Sequence, residues 1–492
     1  VESAGLQGRI NPSFVLLVLS VAGIAYALMQ AAVAPAIPEL QHELNTSLSG
    51  ASWVLTAILL SASVATPVIG RMGDLYGRRR VLTAVLLIFA IGTVICAIST
   101  SLPLMLVGRV LQGAGGGVVP LAFGIARGVF PRDRIASAIG ILSATLGVGA
   151  GFGIVVSGLI LKYLDFHFLF WIPLVPILFA CYASWKFIPE TSPRQQGTIN
   201  WLGVILLGVG LTSFLLGVTQ GRSWGWGSGR TIGVFAVAIV ALAAWVFAEL
   251  RAREPLVDMK IMAIRGVWTA NVVALLVGLA MFGSFTMVSQ FMQLPTSTGY
   301  GFGEGVLVAG LFLLPSSMMM LVAGFVAGPG EKRFGARPII MAGAVLSATG
   351  FVFLALFHSA EWQFLVGGTI LGLGNGLCFA SLAGVVVLAV PQDQVGAATG
   401  MNTVVRTVGQ SLGAAVPGTI LASMTIEGTP FPTEDAFTLI FWLIAGAMVF
   451  AIIAAAAMPV RSKVLAEGEL LSASSGSTPA VGTSPQAIPP SR

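Results

Sequence analysis

The sequence predicts an all-α integral membrane protein of fourteen spanning helices, grouped as two six-helix bundles with two extra helices between them. Three observations carry this prediction: an inventory too apolar for water, a series of apolar runs of spanning length, and a basic loop segment that recurs at a constant offset. Of 492 residues, 56% are hydrophobic and only 9% are charged, against about 25% charged in soluble domains. The mean hydropathy is +0.94. Such a chain cannot cover a water-facing surface, but it can face lipid. Its net charge of +6 would raise nucleic acid as a partner if the basic residues were not dispersed in short clusters between apolar runs. No nucleic-acid partner is therefore expected.

A helix needs roughly 20 mostly apolar residues to cross the hydrocarbon, where every backbone group must be paired internally. Runs of this kind occupy 13–36, 51–70, 81–101, 103–126, 136–161, 166–187, 200–220, 231–249, 266–291, 305–328, 338–357, 362–388, 396–423 and 437–458. The first is long and followed by many others, so it reads as a spanning helix and not a cleaved leader. With the amino terminus inside, the outer loops hold only Lys162, Arg222 and Arg230. Arg109 and Arg406 fall within spans, and every other Lys and Arg lies on the inner side. The positive-inside rule then places both termini in the cytoplasm of a cytoplasmic (inner) membrane protein. The tail from about 470 is Ser-, Pro- and Gly-rich with no apolar period, which predicts disorder.

The loop "GRMGDLYGRR" at 70–79 is echoed by "GPGEKRFGAR" at 328–337, matching Gly70 with Gly328, Gly77 with Gly335 and Arg79 with Arg337 at an offset of 258. Each copy follows the second span of a six-span set. The expected organisation is an amino-terminal bundle over 10–195, an extra pair over 196–257, a second bundle over 258–460 and a cytoplasmic tail over 461–492. Repeated halves of this kind are a common transporter architecture with the binding site at their interface.

Together with "LVGRVLQGAGGG" at 106–117, the loop resembles the major facilitator superfamily, specifically its fourteen-span drug:proton antiporter branch, over roughly residues 10 to 460. The loop matches at Gly70, Asp74, Gly77, Arg78 and Arg79, and the resemblance implies that these form a conformational latch. The chemistry is readable on its own: Asp74 can pair with nearby arginines or receive N–H groups from an adjoining helix start. The plain alternative is that the arginines only hold topology. In the second copy Lys332 stands where Asp74 would, with Glu331 beside it, so a second latch is expected to be weak or differently paired. Arg109, Gln112 and Gly113 match the family's span-four motif, and the resemblance implies that Arg109 supports proton coupling.

Span five carries "GVGAGFGIVVSG" at 147–158, in which Gly149, Gly153 and Ser157 recur every fourth residue and predict a helix-packing face. The segment resembles the family's antiporter motif, with Ile154 in place of its proline and Ser157 in place of a glycine. A larger departure lies at 27–40, "ALMQAAVAPAIPEL", where Met29 stands in the place of the aspartate that related exporters carry. No Asp or Glu sits deep in any span; Asp74 and Asp133 lie at the inner side, and Glu39, Asp165 and Glu304 at the outer. The proton-coupling candidates are accordingly Arg109, Asp165 with His167, Glu304 at the start of span ten, and Arg406, whose stem can also snorkel toward the cytoplasm. Candidates for a central cavity are the polar Gln30, Asn271, Gln290 and Asn375, with Met29, Trp53, Phe282 and Phe285 as apolar walls.

The expected function is proton-driven export of a hydrophobic or amphiphilic drug or metabolite by alternating access, with the resemblance supplying direction and coupling ion. The lack of a deep acid favours neutral, zwitterionic or anionic amphiphiles over cations. The alternative is a carrier of a lipid-like or peptide-like solute with different ion coupling. No enzyme is expected, because His42, His167 and His358 have no deep carboxylate partner. Widely spaced Cys96, Cys181 and Cys378 suggest neither a metal cluster nor a disulfide framework. No metal or organic cofactor is expected, the lipid bilayer is the principal partner, and one chain is expected to suffice as the functional unit.

Overall fold

The computed structural model describes residues 11–131, 134–190 and 197–459. Asp133 and the tail expected to be disordered lie outside the described residues. Fourteen long helices dominate: α1 (Pro12–Ala32), α2 (Leu48–Tyr76), α3 (Arg78–Ala97), α4 (Leu102–Val129), α5 (Ile135–Tyr163), α6 (Phe168–Phe187), α7 (Trp201–Trp224), α8 (Gly229–Arg251), α9 (Arg265–Gln293), α10 (Val306–Phe334), α11 (Ala336–Leu356), α12 (Glu361–Ala389), α13 (Val395–Ser423) and α14 (Glu434–Ala456). Among the described residues, all but α13 meet the length and hydropathy expected of a membrane span. With 29 residues α13 is as long as any of them, but Asn402, Arg406 and Gln410 dilute its apolar content. The protein is an all-α, multi-pass membrane protein.

Local chemistry sets the helix ends. Asn11 accepts the Ser13 N–H at 3.0 Å with Pro12 in the first turn of α1, Ser47 accepts that of Gly50 at 3.0 Å, and Ser228 that of Thr231 at 3.2 Å, so each oxygen satisfies a donor the helix leaves open. The α2–α3 and α10–α11 connections are single glycines, Gly77 at φ 105° and Gly335 at φ 86°, a backbone region that only glycine enters without strain. Span two thus runs further than its apolar content indicates. Gly70 and Asp74 belong to the last turns of α2, not to a loop, and only Gly77 turns the chain. Glu304, expected at the start of span ten, lies instead in the preceding loop, its N–H donating to the Met292 carbonyl at 2.8 Å. In α4 the "GAGGG" run narrows into a 3-10 turn at Gly113–Gly117, where an added side chain would strike Ser61, Ala62 or Ile69 of α2.

Packing in the first six helices recurs in the last six. α1 lies on α5 as α9 lies on α13; α3 packs on α6 as α11 packs on α14. The two most extensive contacts between the sets, α5 with α10 and α13 with α2, also correspond, and α5 with α12 and α4 with α13 add to them. The apolar window of α12 is 89% buried and that of α8 only 22%, so α12 is central and α8 peripheral. α7 and α8 pack on each other, and α7 also touches α2 and α13.

Candidate functional site

Between the two sets of six lies a cavity of about 350 Å³. It runs from Thr403 and Arg406, near the middle of α13, to Pro35, Gln293 and Val306 at helix ends. Leu55, Leu59, Leu146, Ile154, Met281, Phe282 and Phe285 make its walls largely apolar, and Tyr26, Gln30, Gln290 and Gln410 supply polar groups. Arg406 is the single charged side chain in the lining among the described residues. Its guanidinium carbon lies 4.3 Å from the centroid of the Phe379 ring, a cation–π contact that stabilises the charge without a counter-ion.

The opposite end is closed. α2 and α13 cross with Gly70 and Gly396 in backbone contact, and a Cβ on either would collide with the other's carbonyl. Three charged side chains from the first six helices grip the α12–α13 connection. Asp74 is fully buried; its carboxylate accepts from Arg78 Nη2 at 2.8 Å and from the Ala397 N–H, in the first turn of α13, at 3.2 Å. Arg78 also donates to the carbonyls of Gly124, at 3.0 Å, and Gln392. Arg127 Nη1 donates to the carbonyls of Val387 and Val390, the latter at 2.8 Å. Both Asp74 and Arg127 complement a helix dipole, the acid at the start of α13 and the base at the end of α12. Gly77 lies against the Glu190 carboxylate, which accepts the Arg79 N–H at 3.2 Å.

The structure brings Gln30, Phe282, Phe285, Gln290 and Arg406 to the cavity and directs four other expected lining residues elsewhere. Met29 is fully buried in a core with Val54 and Phe89, because α1 faces the cavity with Tyr26, Ala27, Gln30 and Ala31. Trp53 sits two residues from Leu55, about 200° around α2. Asn271 lies toward the closed end, accepting from Asn402 Nδ2 at 2.8 Å. Asn375 is enclosed between α11 and α12 and accepts from Ser347 Oγ at 2.9 Å.

Arg109 is also away from the cavity. Fully buried, it donates from Nε to the Val54 carbonyl at 2.8 Å and from Nη1 to Gln112 Oε1 at 2.7 Å, while Gln112 donates to Thr93 at 3.0 Å. Nη2 has no partner among the described residues. Asp165 and His167 form a local pair in the α5–α6 connection and are not among the lining residues. The His167 N–H donates to Asp165 Oδ1 at 2.8 Å and holds that exposed carboxyl below its ordinary range. Gly149 and Gly153 let α5 rest on the Ile24 and Leu28 carbonyls of α1 at 2.7 Å from where a Cβ would stand; Ser157 is buried on the same helix. Arg127, Tyr26, Thr403, Thr407 and Gln410 were not singled out by the sequence. For α13 a signal existed, since Thr403, Arg406, Thr407 and Gln410 follow helical spacing.

Residues 19–414 and 316–475 match the family model described as Major Facilitator Superfamily. The chain belongs to that superfamily. It is a secondary transport protein for small molecules, not an enzyme. Among its relatives, the tetracenomycin C resistance and export protein of Streptomyces glaucescens is 29% identical, over 88% of this chain and 79% of that one. An uncharacterized MFS-type transporter of Mycobacterium tuberculosis is 30% identical over 84% of this chain, which spans only 60% of that protein's length. The multidrug transporter protein MdtP of Bacillus subtilis is 27% identical, over 79% and 71%. In fold, the superfamily member resembles the crystal structure of the human organic anion transporter MFSD10, with a TM-score of 0.63 at 15% identity over 91% of this chain and all of that one. The proton:xylose symporter XylE gives 0.62 at 14% over 89% and 94%.

Proposed function

We propose that this chain exports hydrophobic or amphiphilic drugs or metabolites in exchange for protons, residues 10–195 and 258–460 rocking as two bundles about a central site. The observation that carries the proposal is the pairing of one largely apolar cavity between the bundles with a tightly closed opposite end. On the positive-inside orientation the closed end is cytoplasmic, and the conformer is outward-facing. Apolar walls with a few amides suit varied ligands, because burial drives binding while few hydrogen bonds constrain shape. Relatives named for drug resistance and export support the direction. Gly70, Asp74, Gly77, Arg78 and Arg79 would act as the latch, with Arg127 as a further member.

Among the described residues the cavity lining has no carboxylate, which directs the proton's route to groups outside it. Asp165 and Glu304 sit in outer connections, whereas the surroundings of Asp74 change when the bundles part, and Arg109 retains an N–H donor without a partner among the described residues that a water oxygen could accept from. The test uses the purified chain in proteoliposomes loaded with a fluorescent amphiphile under an imposed pH gradient. Flux that accelerates with the gradient and collapses with a protonophore is expected. Flux indifferent to both would end the proton reading and leave a carrier with different coupling.

A further inference from the structure

Resting on the export reading, we infer that the preferred cargo is an amphiphilic organic anion, its acidic group seated on Arg406 and its apolar body against Phe282, Phe285 and Leu59. Three observations lead there. Arg406 is the cavity's single charge, and no acidic side chain shares the lining to neutralise it. Among the described residues its guanidinium has no hydrogen-bond or ion-pair partner; it meets the face of Phe379 and has the Tyr26 phenol in its field, so its donors are available to a ligand. On the same stripe of α13 the hydroxyls of Thr403 and Thr407 are already used, donating to the carbonyls of Thr399 and Thr403 at 2.9 and 3.0 Å.

A cation in a low-dielectric enclosure lacking a counter-ion favours an entering anion and opposes an entering cation. A guanidinium offers a planar fork that carboxylates and sulfonates can meet in bidentate fashion. Gln410, one turn further along α13, and Gln30, across the cavity, are amides placed to donate to the same group. The cavity therefore differs in sign from one built for lipophilic cations, which would place an acid where Arg406 stands.

The test compares two probes sharing one ring system, 1-anilinonaphthalene-8-sulfonate and neutral N-phenyl-1-naphthylamine, titrated by fluorescence against the full chain in phosphatidylcholine nanodiscs, with empty nanodiscs as background. In Arg406→Gln the ratio of sulfonate to neutral affinity is expected to fall about tenfold or more, the range of a charge-assisted hydrogen bond; Arg406→Lys should recover part of it. A measurement on the unaltered chain covers the case in which Arg406→Gln does not fold. There, octanesulfonate should displace the sulfonate probe at about tenfold lower concentration than octyltrimethylammonium does. A ratio unchanged in folded Arg406→Gln, equal displacement by the two octyl compounds, or no sulfonate binding above empty nanodiscs would each overturn the inference. Gradient-driven flux of the neutral probe separates this outcome from the underlying one. With that flux present and no anion preference, only the cargo assignment fails; with anion preference and no gradient dependence, only proton exchange fails.

Discussion

Replacing Arg127 with alanine removes the two charge-assisted bonds from its Nη1 to the Val387 and Val390 carbonyls, and with them one of three grips on the α12–α13 connection. Hydrogen bonds to charged groups contribute about 1.5–3 kcal/mol net of water. Both bonds come from one nitrogen, which water solvates once the end opens, so one such increment is the appropriate size. At 1.4 kcal/mol per decade, the open-to-closed ratio at this end should rise about 10- to 150-fold. Spin labels at Arg80 and Phe334, both exposed beside the equivalent one-glycine turns, would report the separation by pulsed electron–electron resonance after replacement of Cys96, Cys181 and Cys378. A second, longer distance population is expected. The control is Lys186→Ala, because among the described residues Lys186 meets only Tyr182 and Phe187 of its own helix. An unchanged distribution in Arg127→Ala, or the same change in the control, would refute the assignment of Arg127 to the closed end.

Gly70→Val should prevent closure outright, since its side chain would enter the space of the Gly396 carbonyl; the long distance should dominate and transport should be lost, whereas Gly227→Val, with nothing within 4 Å, should behave as the parent. Gly153→Leu should lower the melting temperature of the detergent-solubilised protein, because overpacking α5 against the Leu28 carbonyl costs about 1–3 kcal/mol or more; an unaltered melting curve would contradict the packing described. Asp165 has its pKa depressed by the His167 N–H, so its contribution is present above the unfolded value, about 3.9, and is lost only as pH falls through the lower folded value. Asp165→Asn should therefore leave the pH profile of flux between pH 5 and 8 where it was, and a displaced midpoint would restore Asp165 as a coupling group.

The spans were legible because lipid imposes length and polarity on every crossing, including α13 with its interior arginine. Helix faces were not. In α1 and α2 lipid, core and cavity all accept apolar side chains, so a helix apolar all round carries no periodic mark of which side meets which; Met29 and Trp53 were misplaced for that reason. Asn271 and Asn375 show the same gap for polar residues, since a buried amide can equally satisfy a neighbouring helix. Conversely, the stripe Thr403, Arg406, Thr407 and Gln410 carried its face in its spacing. Arg127 resembled any basic residue at an inner helix end, and only the three-dimensional approach of α12's last carbonyls distinguishes it. The charged segment at 70–80 was found by composition, but the 390–397 stretch across the interface offers Asp393 as its single charge and meets Asp74 and Arg78 through the Ala397 N–H and the Gln392 carbonyl, backbone groups that leave no mark in a sequence.

Because α7 rests on α2 and on α13 at once, the additional pair is moored to both moving bodies of the proposed cycle. It cannot travel rigidly with each of them, so one of its two seams must slide whenever the carrier turns over. Substitutions that tighten the facing of Gly208 on Val64 would then slow turnover without altering what the cavity holds.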